Sequence, residues 1–134
     1  MADLIYVQDN GKLAFGDYTL DAKAKADGFE FDGDLYKVKT FQEITKLERN
    51  GMFVYESVPG TKVTDFTANE KELCFTVEGT TDTQVTLELE AETEFKLYID
   101  GTNIGKMKTN LGGKLVFSLP LTVGSNSAVR VVKQ

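Results

Sequence analysis

The second half of the chain alternates apolar and polar residues with a period of two. The residues between the apolar positions are mostly polar or charged, a pattern typical of antiparallel strands that bury one face and expose the other. Turn sequences containing glycine separate these segments. Each segment places three large apolar side chains on one face: Leu73/Phe75/Val77, Val85/Leu87/Leu89, Phe95/Leu97/Ile99 and Leu115/Phe117/Leu119.

Shorter strands are predicted in the first half. Asn10-Gly11 and Asp32-Gly33 each lie between two apolar-rich segments and therefore predict two hairpins. A further strand begins at Met52, and Pro59-Gly60 turns the chain before another strand that begins at Val63.

Residues 40–50 fit two structures. A helix capping box begins at Thr40, and three apolar residues follow at helical spacing. Asn50-Gly51 is instead typical of a two-residue hairpin turn, and a strand before it would place Leu47 opposite Val54. We favour the hairpin.

These patterns together predict an all-β fold, with one antiparallel β-sandwich or jelly-roll-like domain of about ten short strands over residues 1–134. The composition, 41% hydrophobic and 27% charged, is that of an ordinary globular domain. No segment has the composition of a linker.

Charge and targeting signals argue against two classes of partner and favour one cellular compartment. The net charge of −6 argues against nucleic acid and against an anionic membrane surface, both of which require basic patches. No apolar run approaches the roughly 20 residues that span a bilayer, and the N-terminus has no secretory signal pattern. A lone cysteine, Cys74, fits a reducing compartment. The sequence therefore predicts a cytoplasmic protein.

The residue types present exclude several chemistries. The chain has no histidine and one cysteine, which removes Ser-His and Cys-His nucleophilic catalysis and a structural zinc site. We expect no cofactor and no catalytic residues. Two carboxylates at a suitable separation suffice for glycoside hydrolysis, so a small glycan-processing hydrolase stays as a third hypothesis.

The densest group of carboxylates is Asp27, Glu30, Asp32 and Asp34. Oxygen ligands of this kind suit Ca²⁺, although the spacing does not match a complete EF-hand loop. In a hairpin the neighbouring phenylalanines would point inward and these carboxylates would lie in water. A solvated turn is therefore the favoured interpretation, and a calcium site is the alternative.

Two blocks of sequence carry a family resemblance: Phe53–Phe66 and Glu94–Leu115. They resemble a group of short Firmicutes proteins that are labelled "endosialidase", and the second block also looks like accessory β-sandwich domains of polysaccharide-degrading enzymes. Sialidases bind the sugar carboxylate with an arginine cluster, whereas this chain has only Arg49 and Arg130. The resemblance therefore implies a small β-sandwich and no sialidase residues.

The first functional hypothesis is a non-catalytic assembly protein that forms a homo-oligomer. Segment 78–100 carries seven acidic residues and one basic residue, whereas segment 101–134 carries five basic residues and no acidic one. The C-terminal strand, residues 128–132, is β-branched and weakly charged, so we expect an edge strand that pairs with another copy. Charge pairs between neighbouring strands of one sheet explain the same charge pattern.

The alternative hypothesis is a carbohydrate-binding module. Such modules stack sugar rings on exposed aromatic side chains, and this chain has no tryptophan but five tyrosines. Tyr98 is the best candidate because it is out of phase with the apolar positions of its strand, and Tyr55 and Tyr36 follow.

Overall fold

The computed structural model describes residues 3–134, and all regular secondary structure in that range is β-strand. No helix among these residues is long and apolar enough to cross a membrane. The strands are β1 (Ile5–Val7), β2 (Leu13–Phe15), β3 (Ala24–Phe31), β4 (Asp34–Phe41), β5 (Ile44–Arg49), β6 (Met52–Val58), β7 (Lys62–Ala68), β8 (Glu72–Glu78), β9 (Thr83–Glu88), β10 (Glu94–Ile99), β11 (Thr102–Lys108), β12 (Lys114–Leu119) and β13 (Asn126–Lys133).

The thirteen strands form two antiparallel sheets that pack face to face. The seven-stranded sheet has the order β1-β2-β7-β8-β13-β10-β11, and the six-stranded sheet has the order β12-β9-β6-β5-β4-β3. Strands β3 to β6 form a meander within one sheet, whereas every connection from β8 to β10 and from β11 to β13 crosses between the sheets. The predicted all-β sandwich is confirmed, with more strands than the ten expected.

Residues 40–50 form the hairpin and not the helix. They comprise the end of β4, a two-residue turn and strand β5, and Asn50-Gly51 then turns the chain into β6. The predicted register is wrong by one residue, because Leu47 lies opposite Tyr55 and not opposite Val54. A bulge in β6 causes this difference, since Glu48 pairs with Phe53 and Val54 is the additional residue.

The core lies between the two sheets and consists of the apolar positions that the alternation predicted. Tyr55, Phe15 and Phe75 are the largest fully buried side chains, and Tyr55 makes edge-to-face contacts with both phenylalanines at centroid distances of 5.4 and 5.6 Å. The predicted core residues Leu87, Phe95, Leu97 and Phe117 are all buried in this one cluster.

The structure corrects the predicted position of the C-terminal strand. β13 lies between β8 and β10 in the interior of the seven-stranded sheet, so its backbone groups are paired on both sides. The low charge of this strand is therefore that of an interior strand, whose inward side chains are buried in the core. It does not mark an exposed edge.

A cluster of buried hydroxyl groups interrupts the apolar core. This hydroxyl cluster comprises Thr40, Thr45, Tyr55, Ser57 and Thr61. The Thr61 hydroxyl is hydrogen-bonded to the hydroxyls of Tyr55 and Ser57 at 2.8 and 2.7 Å. The Thr45 hydroxyl donates to the Thr61 carbonyl and accepts from the Thr61 N–H, at 2.8 and 3.0 Å.

These bonds hold the connection between β6 and β7 against the six-stranded sheet. The connection approaches other backbone so closely that a Cβ at Gly60 would overlap the carbonyl oxygen of Phe41. Burial raises the pKa of Tyr55 to about 12, although its hydrogen bonds to Thr61 and Ser57 act in the opposite direction.

Candidate functional site

Each sheet ends in two edge strands, and three of the four carry features that discourage pairing with another chain. β1 has only three residues. β3 is interrupted by a bulge at Asp27-Gly28, and β11 has a bulge at Ile104, after which Lys106 and Lys108 follow. Short length, bulges and lysines are the devices by which natural proteins protect exposed edges.

The fourth edge strand, β12, lacks these features. It pairs with β9 over residues 114–119 without a register shift, so its outer side is regular. Pro120 follows the strand and leaves residues 115–119 unprotected. At Lys114 the outer backbone groups are occupied, because its N–H donates to the Asn110 side-chain oxygen at 2.9 Å and its carbonyl accepts from the Asn110 N–H at 3.2 Å. We call the outer side of residues 115–119 the β12 edge.

The single charge on β12 is already engaged within the chain. The Lys114 ammonium lies 2.6 Å from the Glu88 carboxylate on β9 and 3.9 Å from the centre of the Phe53 ring on β6. Both partners lie on the interior side of the strand, because β9 and β6 are its first and second neighbours in the sheet. Lys114 is therefore drawn away from the β12 edge.

The bulge in β6 places the Phe53 ring on the face of the sheet where Lys114 contacts it. Without the bulge, Phe53 would share the inward face of Tyr55, but the pairing of Phe53 with Glu48 places it on the outer face of the sheet. There the half-buried ring also lies 5.8 Å from the Lys46 ammonium.

Apolar side chains are exposed along β12 and at both of its ends. Val116, in the middle of the strand, is 43% exposed. Leu111, in the turn before the strand, and Val123, in the loop after it, are 81% and 79% exposed. Large exposed apolar areas are typical of contact surfaces between proteins, and these three side chains add apolar area along β12 and beyond its two ends.

Ion pairs within the chain account for part of the uneven charge distribution. Lys114–Glu88 and Lys133–Glu90, at 2.6 and 2.9 Å, both join the basic segment 101–134 to the acidic segment 78–100. The hydrogen bonds from Lys133 and Thr93 lower the pKa of Glu90. These two contacts support the explanation by ion pairs within the chain, so the charge pattern by itself does not argue for assembly.

Two of the three tyrosines predicted to bind sugar lie in the core, where a ligand cannot reach them. Tyr55 is fully buried and Tyr36 is 6% exposed, because both alternate in phase with the inward positions of β6 and β4. Neither ring offers a face to a ligand, so both are removed from the candidate set.

Tyr98 does lie on the outer face of the seven-stranded sheet, where it is half-buried. The Arg130 guanidinium lies 5.5 Å from its ring centre and donates a hydrogen bond of 2.9 Å to Glu72. Cys74 faces Arg130 across the strand pair, and burial together with Glu72 raises the pKa of its thiol. The Tyr98 ring is thus packed by a side chain of its own sheet.

The two other half-buried tyrosines are engaged in the same way. The Tyr18 hydroxyl donates a hydrogen bond of 2.8 Å to Glu78, and burial with this carboxylate raises the pKa of Tyr18. The Lys62 ammonium lies 5.7 Å from the ring centre of Tyr6.

The structure does not bring the four predicted calcium ligands together. Asp27, Glu30 and Asp32 are exposed around the β3–β4 hairpin, and Asp34 accepts a hydrogen bond of 2.8 Å from the Asn50 side chain. Among residues 3–134 no group of three or more potential ligands has a geometry that could hold a metal ion. The solvated turn is the better description of this hairpin.

The sequence contained one sign of the β12 edge, the proline that follows the strand, but the alternation of β12 resembles that of the interior strands.

Comparison of the chain with family models, with curated protein sequences and with solved structures finds no match.

Proposed function

We propose that this protein is a non-catalytic assembly protein that forms a homodimer through the β12 edge. Two copies would pair their β12 strands in antiparallel orientation, so that the two six-stranded sheets become one continuous sheet. The observation that carries the proposal is the regular β12 edge, which stands beside three protected edges.

An antiparallel pairing about a two-fold axis suits the sequence of β12. With the axis at Val116, each Val116 lies opposite its counterpart, and Lys114 lies opposite Ser118. There the backbone groups of Lys114 would exchange their bonds to Asn110 for bonds to Ser118. Inward residues face inward residues, since directly opposed residues share a face of the sheet. No like charges are opposed, and Leu111 and Val123 are available for contacts at the ends.

The test places a lysine on the edge. The variant Val116→Lys opposes two ammonium groups across the axis and adds the type of charge that protects natural edges. The matched control is Val7→Lys, because Val7 is 45% exposed on the edge strand β1 and Val116 is 43% exposed.

Sedimentation velocity over a range of protein concentrations measures the outcome. We expect the wild type and Val7→Lys to reach roughly twice the 14.8 kDa chain mass and Val116→Lys to stay at the chain mass. Salt should change the wild-type mass little, because backbone hydrogen bonds and apolar contacts would hold the dimer. A wild type of 14.8 kDa at every concentration, or a Val116→Lys dimer, would refute the proposal.

A further inference from the structure

One end of the sandwich opens into a cleft between the two sheets. This end cleft has a volume of about 460 Å³ and lies beside the β5–β6 and β7–β8 turns. Its inner surface includes the buried side chains of Phe66, Leu73, Phe95 and Val131 and the half-buried side chains of Val54 and Leu89. Its size and apolar lining are those of small-molecule sites in proteins.

The rim of the end cleft is charged, and most of its carboxylates are neutralised. Three of the four rim carboxylates form ion pairs at 2.6 to 2.9 Å, namely Glu72 with Arg130, Glu88 with Lys114 and Glu90 with Lys133.

Two cations of the rim remain outside these three ion pairs, of which two use partners beyond the lining, Arg130 and Lys114. Arg49 and Lys71 also line the cleft, and neither forms an ion pair with any residue in the range 3–134. They face one unpaired carboxylate, Glu70. An apolar interior beneath two available cations is complementary to a molecule with an apolar body and an anionic end.

We propose that the end cleft binds a small amphipathic monocarboxylate, such as a medium-chain fatty acid. The alkyl chain would enter between the sheets against Phe66 and Phe95, and the carboxylate would remain at the rim near Arg49 and Lys71. None of the residues that line the cleft belongs to β12, although the rim carboxylate Glu88 is ion-paired with Lys114 at the start of that strand.

Isothermal titration calorimetry with three probes of equal chain length tests the charge preference. The probes are decanoate, decanol and decyltrimethylammonium, each used below the concentration at which it forms micelles. We expect saturable binding of one decanoate per chain, weaker binding of decanol and no binding of the cationic probe. Equal affinity for the cationic probe, or no saturable binding of decanoate, would overturn the proposal.

Variants of the rim locate the binding. Arg49→Gln and Lys71→Gln should each weaken decanoate binding about 2- to 5-fold, the effect expected for an exposed ion pair. Lys108→Gln is the matched control, because Lys108 is an exposed lysine on β11 that forms no ion pair with residues 3–134. Undiminished binding in the double variant at Arg49 and Lys71 would place the carboxylate elsewhere and refute the site.

A second pair of variants distinguishes binding in the end cleft from binding at the β12 edge. Ala68→Trp adds a large ring on an exposed residue of the cleft lining and should abolish decanoate binding, with circular dichroism to verify the fold. Val116→Lys should bind decanoate as the wild type does, whether or not it dimerises. Binding that is lost in Val116→Lys and retained in a folded Ala68→Trp would contradict the proposal.

Discussion

Thr61 is the central residue of the hydroxyl cluster, and the variant Thr61→Val tests how much the cluster contributes to stability. Valine has the shape of threonine but lacks the hydroxyl, so the substitution creates no cavity. The Thr61 hydroxyl is the hydrogen-bond partner of both the Tyr55 and the Ser57 hydroxyl in residues 3–134. All three side chains are fully buried, and water cannot replace the lost partner.

The expected cost follows from the two hydroxyls that lose their partner. A buried polar group left unsatisfied costs about 1–3 kcal/mol, so the loss of a partner for two hydroxyls should lower the free energy of unfolding of Thr61→Val by about 2–6 kcal/mol. Urea denaturation measures this loss as a lower midpoint with an unchanged slope, because the folded surface is the same.

A double-mutant cycle distinguishes this mechanism from a general loss of packing. Tyr55→Phe should cost about 1 kcal/mol in the wild type, where it removes one hydrogen bond. In the Thr61→Val background the same change removes an unsatisfied hydroxyl and should be neutral or stabilising. Additive costs of the two substitutions, or a loss below 0.5 kcal/mol for Thr61→Val (roughly the level of a neutral surface change), would refute the reasoning.

Two further predictions concern the same core. Phe117→Ala should lower the free energy of unfolding by about 3–5 kcal/mol, because Phe117 is 7% exposed on the inward face of β12, and an unchanged denaturation midpoint would contradict this assignment. The pKa of Tyr55 is raised from 10.0 to about 12, so its contribution to stability is constant below pH 10 and is lost as the pH rises from 10 to 12. Over this range the wild type should lose about 2–3 kcal/mol more than Tyr55→Phe, and parallel curves for the two proteins would show that Tyr55 is not buried in its neutral form.

The sequence alone determined which residues face the core in most strands. The alternation in β8, β9, β10 and β12 identified the buried positions, because side chains on successive residues of a strand point to opposite faces. Four turns in which glycine follows Asn or Asp also form the predicted hairpins, since few residues adopt the positive φ that tight turns require. The turns at residues 79–82 and at Gly112-Gly113 were expected to close hairpins as well, but each connects strands of different sheets. The alternation and the turn sequences both depend only on residues that are neighbours in the chain.

Two of the three candidate tyrosines, Tyr36 and Tyr55, lie in the core, whereas Tyr98, the first candidate, lies on an outer face. Tyr36 is in phase with Val38, so the period-two pattern already identifies its inward position. Tyr55 is not identified in this way, because the bulge in β6 turns Phe53 outward and leaves the polar Ser57 as the buried neighbour in phase with Tyr55. The buried hydroxyl cluster follows the same rule, with Ser57 in phase with Tyr55 and Thr40 in phase with Val38. Thr40 and Ser57 are thus polar residues at inward positions, and each is hydrogen-bonded there.

The tertiary structure decided the order of the strands in each sheet. The alternation of a strand identifies its buried face but not its neighbours, because strand pairing depends on residues distant in sequence. β13 therefore resembled an edge strand and lies in the interior, whereas β12 resembled an interior strand and lies at the edge. The β6 bulge, which turns Phe53 outward to Lys114, likewise follows from pairing with β5 and not from the residues of β6 themselves.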